Sequence, residues 1–154
     1  MKKKLNFFCV LMLVLMIAHV TFSFVQGADD FARGWEEGAA NSATPTWSAF
    51  LVTILGLATV GAFILSFGCF VRFILNINRN EVFVWDNVWC LRITAIGLSF
   101  GVLVFSAYTI IEGANVIEAF EEYMAILIFA VFNLIVAEAF AIGLKLQEDQ
   151  DLTI

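Results

Sequence analysis

WSAFLVTILGLATVGAFILSFGCFV, residues 47 to 71, holds nothing more polar than Ser48, Thr53, Thr59 and Ser66 before Arg72 ends the run. As a helix rising about 1.5 Å per residue it is long enough to cross a hydrocarbon layer of about 30 Å. Pro45 is the only proline in the chain and lies just outside the run. The composition agrees with this stretch: 62% of the residues are hydrophobic, 17 are Phe and only 14% are charged. A soluble domain has about half its residues apolar and a quarter charged. The 154 residues have room for about four spans of ~20 residues with short loops. That leaves no separate soluble domain and excludes most catalytic architectures.

Upstream, residues 27–46 turn small, polar and acidic and read as a loop outside the hydrocarbon. Phe31 and Trp35 are one helical turn apart. They form either an amphipathic turn at the headgroup level or two aromatics on a solvated loop. Before the loop, Lys2, Lys3 and Lys4 precede an apolar run over 5–25. Its length points to a first transmembrane helix, while Val25-Gln26-Gly27 also provides an acceptable signal-peptide cleavage site.

Downstream, Asn78, Arg79, Asn80 and Glu81 mark a water-facing turn within an inner loop, 72–90. Phe83, Trp85 and Trp89 form an aromatic band suited to a chain re-entering at headgroup depth, and Asp86 or Asn87 is placed to cap the next helix. The third span covers 91–111 and carries Gly97 and Gly101 at GxxxG spacing. Small residues so spaced let helix backbones approach closely, here for internal packing before dimerisation. A second acidic loop, 112–122, leads to the fourth span, 123–144, and a tail, 145–154. The expected fold is an all-α integral membrane protein, a bundle of four transmembrane helices forming one domain.

Charge placement sets the expected orientation. With the N-terminus in the cytoplasm, Lys2, Lys3, Lys4, Arg72, Arg79, Arg92 and Lys145 all lie inside and only Arg33 lies outside. That is a strong positive-inside bias, and both termini are then cytoplasmic. The formal charge of −6 says less than this distribution. Cys9, Cys69 and Cys90 all fall toward the reducing side, so no structural disulfide is expected. No CxxC pair or Cys/His cluster is present, and neither a metal nor another cofactor is expected. His19 stands alone in the outer half of the first span, either as a protonation site or as a neutral imidazole bonded to another helix.

The polar interruptions of the fourth span are Asn133 and Glu138. A carboxylate about two turns inside Lys145 has to be neutral, hydrated or paired, and Arg72 and Arg92 flank the same face. Glu138, Arg72, Arg92 and Asn133 therefore form a candidate intramembrane polar lock, with proton- or ion-coupled transport as the alternative use of Glu138. Asn133 lies about 140° around the helix from Glu138, so the two do not make one site on one face. The tail residues Leu146, Gln147, Glu148, Asp151, Leu152, Thr153 and Ile154 form a candidate docking element for a cytoplasmic partner, or else a solvated end that anchors the helix.

The segment VFVWDNVWCLRITAIG, residues 82–97, and the terminal AEAFAIGLKLQEDQDLTI, residues 137–154, together resemble DUF2975, a family of uncharacterised bacterial membrane proteins with four predicted spans. The first motif is carried by Phe83, Asn87, Leu91 and Arg92. The second is carried by Glu138, Phe140, Gly143, Leu146, Gln147, Glu148, Asp151, Leu152, Thr153 and Ile154. Trp89 and Cys90 stand where the family pattern has more basic residues. The resemblance implies a bacterial inner-membrane location and no known activity. It also implies a cytoplasmic partner, since such proteins are often encoded beside a small helix-turn-helix regulator.

No phosphate loop, HExxH, nucleophile elbow or basic nucleic-acid patch occurs. The expected partners are the lipid bilayer and a cytoplasmic regulatory protein, with self-association open and no direct nucleic-acid binding. The expected function is that of a non-enzymatic membrane interaction protein; the alternative is a small transporter or channel component.

Overall fold

The computed structural model describes residues 2–40, 46–111, 113 and 115–151, except for the side chains of residues 2, 3, 5, 122 and 151. Its elements are four helices: α1, Lys2–Ala40; α2, Trp47–Asn78; α3, Trp85–Ile111; and α4, Val116–Asp151. Each contains a stretch long and apolar enough to cross a membrane. The chain divides into two compact units, Met1–Val52 and Thr53–Ile154.

In the first unit α1 runs well past the apolar stretch that defines it in the sequence. The segment 27–40, whose composition reads as a loop, is helical. Ala28, Ala32, Ala39 and Ala40 favour helix, as do Arg33, Glu36 and Glu37, and no proline intervenes before Pro45, which lies outside the described residues. Arg33 pairs with Asp30 one turn earlier. The Phe31 and Trp35 rings stack at 6.4 Å on the same side. Thr46 caps α2, its hydroxyl accepting the Ala49 N–H at 3.4 Å.

The second unit is built around α3, which presents two seams. Asn87, Cys90, Thr94, Gly97 and Gly101 recur at spacings of three and four and meet α2. A Cβ on Gly97 would overlap the Ser66 hydroxyl and stand 3.0 Å from the Ala62 carbonyl oxygen, and one on Gly101 would stand 2.5 Å from the Phe63 ring. The two glycines thus admit a neighbouring helix inside the unit. The Thr94 hydroxyl donates to the Ser66 carbonyl at 3.1 Å across the same seam.

One position round, Val88, Leu91, Ala95 and Val102 are all buried. They lie on the side of α3 left to α4, the helix packed along it. From α4 come Ala130, Asn133, Ala137, Ala141 and Leu144, again at spacings of three and four. Small residues on one helix opposite branched ones on the other let the two axes come close. Aromatic rings bind the trio at several depths: Phe70 lies against Phe129, Phe73 against Phe140, and Phe105 against both Phe63 and Tyr123.

The helix ends follow from local chemistry. α2 closes in a Schellman turn in which Asn80 N–H donates to Ile77 O at 3.0 Å and Glu81 N–H to Asn76 O at 2.9 Å. Asn80 takes the left-handed conformation this requires, with φ of 69°. Gly113, with φ of 101°, does the same after α3. Asn115 caps α4 through its side-chain oxygen on Ile117 N–H at 3.2 Å.

Candidate functional site

Chain reversal between α2 and α3 brings four polar residues together beside the 79–84 turn. Asn87 is fully buried, one position inside the first turn of α3. Its amide nitrogen donates to the carbonyls of Glu81 at 2.7 Å and Val82 at 2.8 Å, and its oxygen accepts from Asn76 Nδ2 at 2.9 Å. The same Asn76 amide donates to Asp86 Oδ2 at 3.1 Å, and Arg72 Nε reaches that carboxylate oxygen at 2.9 Å.

Neither Asp86 nor Asn87 caps the helix, because α3 begins at Trp85 and both lie within it. Asn87 is instead the hub that holds the turn shut, and Asp86 the acceptor shared by Arg72 and Asn76. Polar residues facing each other across a six-residue turn were the available sign in the sequence, and Asn76 was the member it did not reveal.

The basic candidates separate. Arg92, and not Arg72, meets Glu138: Nη2 lies 2.6 Å and Nε 3.2 Å from the same oxygen, Oε1. Both donors fall on one oxygen, so the pair is not the two-oxygen fork that a bidentate contact would make. Trp89 lies under the guanidinium at 5.8 Å. The lock does not sit inside the helix trio, since the Glu138 side chain is 61% exposed and that of Arg92 30%. Ala137 and Ala141 occupy the seam, which turns Glu138 outward. Asn133 takes no part: it is buried on the seam, and its amide donates at 2.8 Å to Phe129 O in its own helix.

The expected docking tail begins as a direct continuation of α4. Residues 145–151 remain helical, and the side chains from Lys145 to Gln150 are exposed. Glu148 accepts the Trp85 indole N–H at 2.9 Å, which ties the outgoing helix to the start of α3. The Asp151 side chain and Leu152, Thr153 and Ile154 lie outside the described residues. His19 is exposed and makes no hydrogen bond among the described residues. Cys9, Cys69 and Cys90 are free thiols.

The turn opens onto a groove of about 710 Å³ along α2, lined by Gly68, Val71, Arg72, Leu75 and Arg79 and closed by Glu81 and Asp86. The four basic residues of the second unit, Arg72, Arg79, Arg92 and Lys145, all fall at this end of it, and Glu118 and Glu121 fall at the other.

No curated protein and no solved structure matches the chain. Residues 31–154 match the model of a family described as a protein of unknown function, DUF2975. That match covers most of the chain, which therefore belongs to the DUF2975 family.

Proposed function

We propose that this chain is a four-span protein of the bacterial inner membrane, with both termini cytoplasmic, that acts without catalysis as the membrane-bound partner of a cytoplasmic regulatory protein. The observation that carries the reading is α4. It leaves its apolar stretch at the basic end of the unit and continues as helix through Asp151, with Leu146 59% exposed among Gln147, Glu148 and Asp149. An apolar residue on an otherwise acidic helical segment, anchored by Trp85, is a suitable surface for a basic, partly apolar partner. Clustering of basic residues at that end supports its cytoplasmic placement.

The test is a pull-down from membranes, read for a retained cytoplasmic protein, using the full chain and a chain lacking 147–154. Retention by the first and loss by the second is expected. Equal retention removes the docking role.

A second reading, a small transporter or channel component, draws on one detail. Arg92 engages only Oε1 of Glu138, and Oε2 has no partner among the described residues. Loss of flux in liposomes by a stable Glu138→Gln variant would favour this reading. The Asn133 bond within its own helix argues against a polar path along α4.

A further inference from the structure

We infer that the groove along the end of α2 is a binding site for one membrane phospholipid with a zwitterionic, amine-bearing headgroup. The inference rests on the membrane placement proposed above. The groove's character changes along its length. Its far end is apolar: Gly68 and Val71 stand about one turn apart, and Gly68 leaves a notch, since a Cβ there would meet nothing within 4 Å. An acyl chain fits such a track, with no backbone polar group needing a partner inside a helix.

The other end is charged. Arg79 lies one residue past α2 and keeps its register, its N–H bonded to the Leu75 carbonyl at 3.0 Å, so it follows Arg72 by seven residues, about 10 Å along the axis, and both line the same groove. Arg72 uses Nε for Asp86; its two terminal nitrogens are not engaged by any ion pair or hydrogen bond among the described residues. The Arg79 side chain has no partner among them either and is exposed. A phosphodiester between these two guanidiniums would accept charge-assisted bonds from both.

The acidic residues select among phospholipids. Asp86 is already held by Arg72 and Asn76 through Oδ2, whereas Glu81 lines the same groove with an exposed side chain that has no partner among the described residues. Glu81 sits beyond the end of α2, on the water side of the phosphate position. It would repel a headgroup with net negative charge and would pair with an ammonium placed a few ångströms outward from the phosphate. An amine-bearing zwitterion satisfies Arg79 and Glu81 together, and an anionic headgroup satisfies only the first.

The experiment is native mass spectrometry of the full chain, extracted in mild detergent and titrated with phosphatidylethanolamine, phosphatidylglycerol or soluble phosphoethanolamine. One phosphatidylethanolamine should be retained about tenfold more tightly than phosphatidylglycerol, the order of one charge-assisted contact. Arg79→Gln should weaken both lipids about tenfold, and Glu81→Gln should abolish the preference between them. Both side chains are exposed, so neither change should alter the helix content, which circular dichroism checks.

Gly68→Leu fills the notch and should weaken both lipids without changing the preference. Equal binding of the two lipids by the unaltered chain, or a preference indifferent to Glu81→Gln, overturns the inference. So does soluble phosphoethanolamine binding as tightly as the lipid, which would point to a free phosphate ester. Washing the membranes with alkaline carbonate before extraction separates the two failures. A chain released by the wash refutes the membrane placement itself, and one that stays but shows no lipid preference refutes only the lipid site.

Discussion

Replacing Asn87 by Leu, which keeps the number and branching of its side-chain heavy atoms and cannot hydrogen-bond, tests whether the α2–α3 turn is held by one buried amide. Three bonds disappear: those to the Glu81 and Val82 carbonyls and the one from Asn76. At about 1 kcal/mol net for each hydrogen bond the loss is about 3 kcal/mol. Two effects moderate it. The carbonyls belong to a turn that water can reach, and the Asn76 amide keeps Asp86 as an acceptor. A loss of 2–3 kcal/mol, or about 30- to 150-fold in the folding equilibrium, is therefore expected. The assay is reversible unfolding in mixed micelles followed by tryptophan fluorescence, because Trp85 and Trp89 flank the site. Asn76→Leu and the double variant complete a cycle, and the two losses should fall short of additivity by about 1 kcal/mol, since the variants share one bond. Stability of Asn87→Leu within about 0.5 kcal/mol of the parent, a change typical of an unremarkable surface site, would refute the role of Asn87 as the hub.

Three further outcomes are expected. Arg92→Glu should lower stability and the exchange Arg92→Glu with Glu138→Arg should restore most of it, with a coupling of about 0.5–1 kcal/mol in detergent because both side chains are partly exposed; a double variant no better than either single one counts against the pair. Gly97→Ala should cost about 1–3 kcal/mol by driving a methyl group into the Ser66 hydroxyl, which bonds the Ala62 carbonyl, while Gly56→Ala, which faces open space, should be neutral or stabilising in the same unfolding assay. In intact cells a membrane-impermeant thiol reagent should label Asp29→Cys and leave Arg79→Cys unlabelled, both in a background lacking Cys9, Cys69 and Cys90; the reverse pattern would invert the proposed orientation.

Helix extents show where local chemistry reaches its limit. Residues 27–40 read as a loop because they are polar, but polarity reports distance from hydrocarbon and not backbone conformation. Alanine, arginine and glutamate keep α1 helical after its apolar stretch has ended. The same applies at 145–151, where α4 continues as an exposed acidic helix. Gly97 and Gly101 were legible as a packing face because their spacing alone brings them to one side of a helix. The choice of α2 as the helix they admit was not.

Four stretches able to cross a membrane, the short links between them and the gathering of basic residues near alternate links are properties of position along the chain. The sequence determined them by itself, because apolar length and charge order survive any rotation of the helices. Tertiary structure alone decided that Arg92 and not Arg72 meets Glu138, that Glu138 faces outward while Asn133 faces the seam, and that Asn87 closes the turn. These partners lie 46 residues apart for Arg92 and Glu138 and 11 for Asn76 and Asn87. Their meeting depends on how each helix is turned about its own axis, which is set by alanine, glycine and phenylalanine packing across the seams and not by any single residue's polarity.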